Sequence, residues 1–353
     1  MRIAQVSPLV ESVPPKLYGG TERVISWLTE ELVQQGHEVT LFASGDSSTA
    51  AELVPGSKGA LRFDDSVVDP IPHYLALLEN VRRRASDFDI IHFHVDYLHF
   101  PQFSEIANRT LTTQHGRLDL PDLEPIHRTF PQMPLVSISN DQRRPLPNAR
   151  WLGTIYHGLP VDLHRYQLGK RRDYLAFLGR ICHDKRPDRA IEIARRAGIP
   201  LKIAAKVDKA DRNYFEAKIR PLLDDPLIEF VGEINESEKA EFLGGAKALL
   251  FPIDWPEPFG LVMIEAMACG TPVIAWPCGS VPEIIEDGLT GLHVSSVEEA
   301  VAALDRLDSL DPATIRRRFE ERFTAGRMAS DYVDLYQQLV GIESLAGKLA
   351  AAE

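Results

Sequence analysis

The chain has 353 residues, too many for one ordinary hydrophobic core, and its 44% apolar content is enough to supply two. A net charge of −12 argues against a nucleic-acid binder, whose affinity rests on phosphate neutralisation by Lys and Arg. Three cysteines, Cys182, Cys269 and Cys278, fit neither a disulfide framework nor a C-x-x-C metal spacing, so reduced thiols are expected.

No stretch approaches the roughly 18 uninterrupted apolar residues of a membrane span. The chain opens directly into a strand with no charged-then-apolar leader, so a cytoplasmic location is expected, with peripheral membrane contact left open. The basic runs Arg82-Arg83-Arg84, Arg143-Arg144 and Lys170-Arg171-Arg172 read as solvated faces.

In chain order, Arg2 to Ser7 reads as a strand and Thr21 to Gln35 as a helix. The helix carries Val24, Ile25, Leu28, Leu32 and Val33 as an apolar stripe and is closed by Gly36. Glu38 to Ala43, Asp89 to Phe93, Leu135 to Ser139 and Thr154 to Tyr156 follow as strands, with a further strand ahead of His115. A second strand series runs through Tyr174 to Leu178, Leu201 to Ala205, Ile228 to Val231, Ala248 to Phe251, Pro272 to Ala275 and Gly291 to Val294. Helices at Pro187 to Ala197, Ser237 to Gly244 and Leu261 to Met267 separate several of these, the alternation of parallel α/β folds. The polar segment His157 to Asp173 marks the expected boundary, giving domains 1–165 and 166–327. A last helix near Met328 to Val340 carries Met328, Tyr332, Leu335, Tyr336 and Leu339 on one face, and the tail from Glu343 reads as a fraying end.

Four segments carry polar chemistry. Gly19-Gly20, between a strand and a helix, allows a diphosphate or hydroxyl to approach a helix N-terminus, although it is not the G-x-G-x-x-G fingerprint. Gly179-Arg180 closes a strand with Lys185 shortly after, two cations able to bracket a diphosphate. The alternative is a surface ion-pair loop with Asp184 and Asp188. In Glu257-Pro258-Phe259-Gly260-Leu261-Val262-Met263-Ile264-Glu265, seven residues separate two glutamates around a helix start whose free N–H groups suit a phosphate. Glu265 lies about a turn into that helix, placed to accept ribose hydroxyls; Glu257 precedes it, placed to hold hydroxyls of a sugar. A glycosidase-type acid/base pair is the poorer reading, because a phosphate-binding helix start stands between the two. Gly279 to Glu283, followed by Asp287 to Gly291, forms a turn and short helix expected beside them.

His92 and His94 alternate along one strand and share a face, read as polar strand-end side chains rather than metal ligands. His115, before Gly116, and His157, before Gly158, stand at positions suited to a binding cleft. Asp87-Phe88-Asp89 reads as a solvated turn.

Together these residues resemble the family 4 glycosyltransferases of GT-B fold, over nearly the whole chain. The resemblance rests above all on the Glu257 to Glu265 motif and the Gly279 to Gly291 run. It also draws on Gly19-Gly20, Asp89 to His94, Thr113 to Gly116, and Gly179-Arg180 with Lys185. It implies two Rossmann-like domains facing across a deep cleft, with the last helix packed back on the first domain. It also implies a retaining transfer from a nucleotide-diphosphate sugar to an acceptor hydroxyl, without a metal or other cofactor. By the same resemblance Arg180 and Lys185 hold the diphosphate, Glu265 the ribose, Glu257 and His115 the sugar, and Val231-Gly232-Glu233 lies near the base. UDP-glucose is the expected donor, ahead of GDP-mannose and ADP-glucose. A sugar-nucleotide epimerase, an NAD dehydrogenase and a non-catalytic nucleotide-sugar binder are the competing readings. Two departures stand out: Phe251-Pro252-Ile253-Asp254-Trp255, where relatives often place a serine after the proline, and His157 to Asp162, where they often carry an Asn-Gly-Val-Asp type of run.

Overall fold

A computed structural model describes residues 1–164 and 173–350. It resolves into two compact units, Met1–Gly158 with Ala325–Glu353, and Leu159–Thr324. The boundary expected at 165/166 and the run Lys170-Arg171-Arg172 lie outside the described residues. The chain joins the second unit earlier than expected because Leu159 already bridges Thr324 and donates its N–H to the Phe323 carbonyl at 3.0 Å.

The first unit is built on a seven-stranded parallel sheet in the order β3-β2-β1-β4-β5-β6-β7. Its strands are β1 (Arg2–Val6), β2 (Glu38–Ser44), β3 (Glu52–Ser57), β4 (Ile90–Phe93), β5 (Thr110–Thr113), β6 (Leu135–Ser137) and β7 (Trp151–Thr154). Ile3, Ala4, Val6, Leu41, Phe42, Ile90 and Phe93 are all fully buried, as strands covered on both faces require. Strand β3 carries Pro55 and Gly56, which hide it in the sequence; an edge position tolerates both. Strand β7 lies a few residues ahead of the expected Thr154 to Tyr156, because Leu135 pairs with Trp151 and Ser137 with Thr154.

The last helix, Ala325–Ala350, belongs to this first unit, and its backbone stays helical beyond the expected fraying point at Glu343. Met328, Ala329, Tyr332, Tyr336 and Leu339 are buried along one face of it. A fully buried side chain of this size contributes about 1.5–3 kcal/mol, so the stripe is a firm anchor.

The second unit has a six-stranded parallel sheet, β10-β9-β8-β11-β12-β13. Here β8 is Tyr174–Arg180, β9 Leu201–Lys206, β10 Ile228–Gly232, β11 Ala246–Phe251, β12 Val273–Ala275 and β13 Gly291–His293. In each sheet the order reverses once, at β1/β4 and at β8/β11. Ligands of such sheets bind outside the carboxyl ends of the strands at that switch point. No helix among the described residues is long and apolar enough to cross a membrane.

The two basic runs among the described residues carry surface ion pairs. Arg82 and Arg83 hold Glu79 at 2.7 and 2.9 Å, Arg84 holds Glu52 at 3.0 Å, and Arg144 holds Asp141 at 2.9 Å. Asp89 pairs with Arg2 at 3.0 Å and Asp87 with Arg84 at 3.3 Å. Cys182 and Cys269 are buried and Cys278 half-buried, all as free thiols.

Candidate functional site

In the second unit the loops leaving β8 and β11 are bound to each other at the switch point. The Asp254 N–H donates to the Asp184 carbonyl at 2.9 Å, Arg186 reaches Asp254 at 2.9 Å, and Arg189 reaches it at 3.2 Å. Lys185 is thereby delivered to Glu257: its Nζ is hydrogen-bonded to the Glu257 carboxylate, and both side chains are largely buried. The same ammonium lies 5.3 Å from the Phe251 ring centre and 5.2 Å from that of Trp255. Trp255 also donates its indole N–H to Glu257 Oε2 at 3.1 Å. Trp255, in the loop that departs from the usual family pattern after Pro252, thus contacts both the carboxylate and the cation.

Gly260 caps the following helix, Leu261–Ala268, with φ of 80°. A Cβ at this position would lie 3.3 Å from the Glu257 Cγ and 2.8 Å from the Met263 Cε. Gly260, Leu261 and Val262 remain half-exposed while Met263 to Ala268 are buried, so it is the N-terminal turn that meets solvent. Helix N–H groups in that turn suit an anion. Phe259 is buried and packs edge-on against Phe323 at 6.3 Å, holding the loop down from beneath.

Glu265 is buried with its Oε1 2.7 Å from Lys239 Nζ. Lys239 also meets Glu236 at 3.2 Å, and His164 Nε2 lies 3.2 Å from Glu236. His164, Glu236 and Glu265 are close enough together for a shared metal ion, but the Lys239 ammonium already serves both carboxylates. Lys239 was not legible as a site residue: in the sequence it is one charge in a polar helix. That helix, Glu236–Gly244, opens with an Asn235–Glu238 capping box, which fixes where Glu236 and Lys239 point.

Arg180, at the end of β8, is 3.8 Å from Asp208 and 3.5 Å from Asp211, both in the segment after β9. The ion pairing weighed in the sequence, with Asp184 and Asp188, takes another form: Asp188 binds Arg186 at 2.7 Å. Gly179 precedes Arg180 on β8, and a Cβ there would meet nothing within 4 Å. Val231 and Gly232 end the edge strand β10 and Glu233 follows it; the Val231 side chain is 42% exposed.

In the first unit, Gly19 precedes the helix Gly20–Gln34, and its carbonyl accepts the Arg23 N–H at 3.1 Å. The polar centre lies elsewhere, at the carboxyl ends of β1, β4 and β5. His92 contacts Tyr336 at 2.7 Å through Nδ1 and Thr113 at 2.8 Å through Nε2. His94 contacts His115 at 2.8 Å through Nδ1 and Gln5 at 2.8 Å through Nε2. All four of these ring nitrogens are thus engaged inside the protein. His115 stacks on His157 with ring centres 5.3 Å apart. Gln5, Tyr332 and Tyr336 were legible in the sequence only as strand and helix residues; their polar atoms complete this network.

Burial holds His92, His94 and His157 well below the usual imidazole range, and brings His115 down to about 3. These rings are therefore neutral at pH 7. The sign of the linkage follows: below the ordinary histidine range near 6.5, the unfolded chain takes up protons that the folded one refuses. Stability should therefore fall as the pH drops from 7 towards 5, and replacing His92 with Gln should flatten that dependence. Equilibrium unfolding across this range checks it; a profile identical in the two proteins would count against it.

A family model described as "Glycosyl transferases group 1" matches residues 162–323, and one described as "Glycosyltransferase Family 4" matches residues 18–156. A D-inositol 3-phosphate glycosyltransferase of Frankia alni is 26% identical, with 87% of this chain and 89% of the relative covered. A phosphatidyl-myo-inositol mannosyltransferase of Propionibacterium freudenreichii is also 26% identical, over 99% of this chain and 96% of the relative. Among solved structures, sucrose-phosphate synthase from Thermosynechococcus elongatus has a TM-score of 0.78 at 20% identity, covering 97% of this chain and 99% of the other. Anabaena HepE, solved with UDP and glucose, has a TM-score of 0.74 at 16% identity, covering 96% of this chain and 100% of the other. At these identities the likeness to solved structures establishes the fold.

Proposed function

Because the chain belongs to the family 4 glycosyltransferases and has the GT-B fold, we propose that it transfers a hexosyl unit with retention from a nucleotide-diphosphate sugar to an acceptor hydroxyl. The observation that carries this reading is the Lys185–Glu257 pair beside the exposed first turn of the Leu261 helix: a cation, a carboxylate and helix N–H groups at one switch point. Arg180, Lys185 and the N–H groups of that turn hold the diphosphate. Glu265 accepts ribose hydroxyls, Glu257 and His115 bind the sugar, and Val231 with Glu233 lies along the base.

The chemistry follows from charge. As the anomeric C–O bond breaks, negative charge collects on the diphosphate and positive charge on the sugar ring. Cationic groups fixed at the diphosphate stabilise that change more than they stabilise the bound substrate. The acceptor oxygen bonds to the anomeric carbon on the face the phosphate leaves, and its proton passes to a phosphate oxygen. No side chain need act as general base, and the protein's own cations take the place of a divalent metal. UDP-glucose is the proposed donor, with GDP-mannose and ADP-glucose as the alternatives within this reading.

Thermal unfolding in the presence of UDP, GDP, ADP and their sugar conjugates, with and without EDTA, tests it. A ligand at about a hundredfold over its Kd adds roughly 2.7 kcal/mol to the native state. One nucleotide should raise the melting temperature irrespective of EDTA, and the Glu265→Ala protein should lose most of that shift. A shift that requires added metal, or one equal in the variant, would overturn the assignment.

A further inference from the structure

Gln5 is fully buried and its side-chain amide has two different partners. Its Oε1 is 2.8 Å from His94 Nε2, and its Nε2 donates to the Tyr336 hydroxyl at 3.2 Å. Each imidazole in the network is neutral and so has one N–H and one lone pair. That makes the hydrogen-bond directions interdependent. With a carbonyl oxygen on its Nε2, His94 must donate there, and its Nδ1 must then accept. His115 Nε2, 2.8 Å away, is left as the donor. The His115 proton therefore lies on Nε2, and Nδ1 keeps its lone pair; no hydrogen bond recorded among the described residues uses it.

The other branch follows from the same orientation of the Gln5 amide. Tyr336 accepts from the Gln5 amide and donates to His92 Nδ1, 2.7 Å away. His92 then donates from Nε2 to Thr113 Oγ1 at 2.8 Å, and the Thr113 hydroxyl passes its proton towards Tyr332 at 2.7 Å. One amide orientation satisfies every bond in both branches, and rotating the amide by half a turn reverses all of them.

We propose that Gln5, acting through His94, is a positioning residue that fixes His115 as its Nε2–H tautomer and leaves Nδ1 as an acceptor for a ligand hydroxyl. A sugar hydroxyl supplies the proton that this lone pair needs. A phosphate ionised near neutral pH brings only lone pairs and is repelled there, so the tautomer selects the sugar over the diphosphate. This ligand half of the proposal rests on His115 being a sugar contact.

Long-range proton–nitrogen correlation spectra of the ligand-free protein, labelled with 15N at histidine, test the tautomer directly. His115 is assigned by its loss in a His115→Gln sample. The wild-type spectrum should show His115 Nδ1 unprotonated and Nε2 protonated; the reverse would overturn the proposal even if no Gln5 variant folds. Gln5→Glu, which keeps an acceptor towards His94, should retain the tautomer, and Gln5→Leu should give a mixture of the two. An unchanged His115 in Gln5→Leu would remove Gln5 from control. Gln5→Leu should also weaken binding of UDP-glucose, GDP-mannose or ADP-glucose, whichever stabilises the wild type, by about tenfold, the scale on which residues that orient a ligating histidine act. Affinity for the matching free nucleoside diphosphate should not change. A tautomer mixture with unaltered sugar affinity would overturn the ligand half and remove His115 from the sugar contacts, while leaving the Gln5–His94 relay standing.

Discussion

Replacing Gly279 with alanine should destabilise the protein by roughly 2–4 kcal/mol and abolish most transfer activity. Gly279 has φ of 61°, and an added Cβ would overlap the backbone nitrogen of Glu257 and lie 2.5 Å from its carbonyl oxygen and 2.6 Å from the Pro256 carbonyl carbon. These are main-chain atoms, which no rotamer change can clear. The next residue, Ser280, donates its N–H to the Glu257 carbonyl at 2.9 Å and its hydroxyl to the Phe259 carbonyl at 2.8 Å. The loop after β12 is therefore a clamp on the loop that presents Glu257, and pushing it outward moves the carboxylate away from Lys185. Gly288 provides the comparison. Its φ is 75°, but a Cβ there would meet nothing within 4 Å. Gly288→Ala should show only the conformational cost, about 1–2 kcal/mol, with activity retained. Urea unfolding and donor turnover of the two variants check the contrast; equal losses would show that the close approach at Gly279 has no consequence.

This clamp illustrates what the sequence can convey. Gly279-Ser280 is visible as a turn after a strand, yet nothing local reveals that its backbone rests on a residue more than twenty positions earlier. The strands were legible where burial on both faces makes continuous apolar runs, as in β1, β2, β8 and β11. They were not legible where an edge position relaxes the pattern, as in β3 with Pro55 and Gly56. The apolar stripe of the last helix announced that it must pack, and Tyr332 and Tyr336 do so. Their hydroxyls, aimed at Thr113 and His92, depend on side-chain directions that periodicity does not encode.

The site followed the same division. Glu257, Gly260, Leu261 and Glu265 were identifiable because they belong to one short segment in which carboxylates flank a helix start. Lys185 was identifiable as a cation after a strand, but its pairing with Glu257 depends on β8 and β11 being neighbours, a property of the sheet order. Lys239 and Gln5 carried no local signal at all. A lysine in a polar helix and a glutamine in a strand acquire their roles from Glu265 and His94, which the fold brings to them.

Lys185→Ala should lower donor turnover by a factor on the order of 10²–10³, the scale on which a single electrostatic group at a developing charge acts, with a smaller effect on nucleotide affinity. The contacts of Lys185 explain the asymmetry. Lys185 already spends its charge on Glu257, with the Phe251 and Trp255 rings against it, so much of its attraction for a resting diphosphate is offset. In the proposed reaction the phosphate gains charge as the anomeric bond breaks, and the Lys185 ammonium is drawn towards it. The interaction grows along the reaction coordinate and so appears in kcat rather than in binding. Removing the ammonium also leaves the Glu257 carboxylate with the Trp255 indole N–H but no cation, so the variant should melt at a lower temperature. Lys185→Arg should not restore turnover, because a planar guanidinium does not occupy the position of a compact ammonium between two aromatic rings. Steady-state release of nucleoside diphosphate from the stabilising donor, compared with nucleotide binding by calorimetry, separates the two effects. A tenfold loss of affinity with unchanged kcat would show that Lys185 binds the ground state, and would move the charge stabilisation to Arg180 and the helix N–H groups.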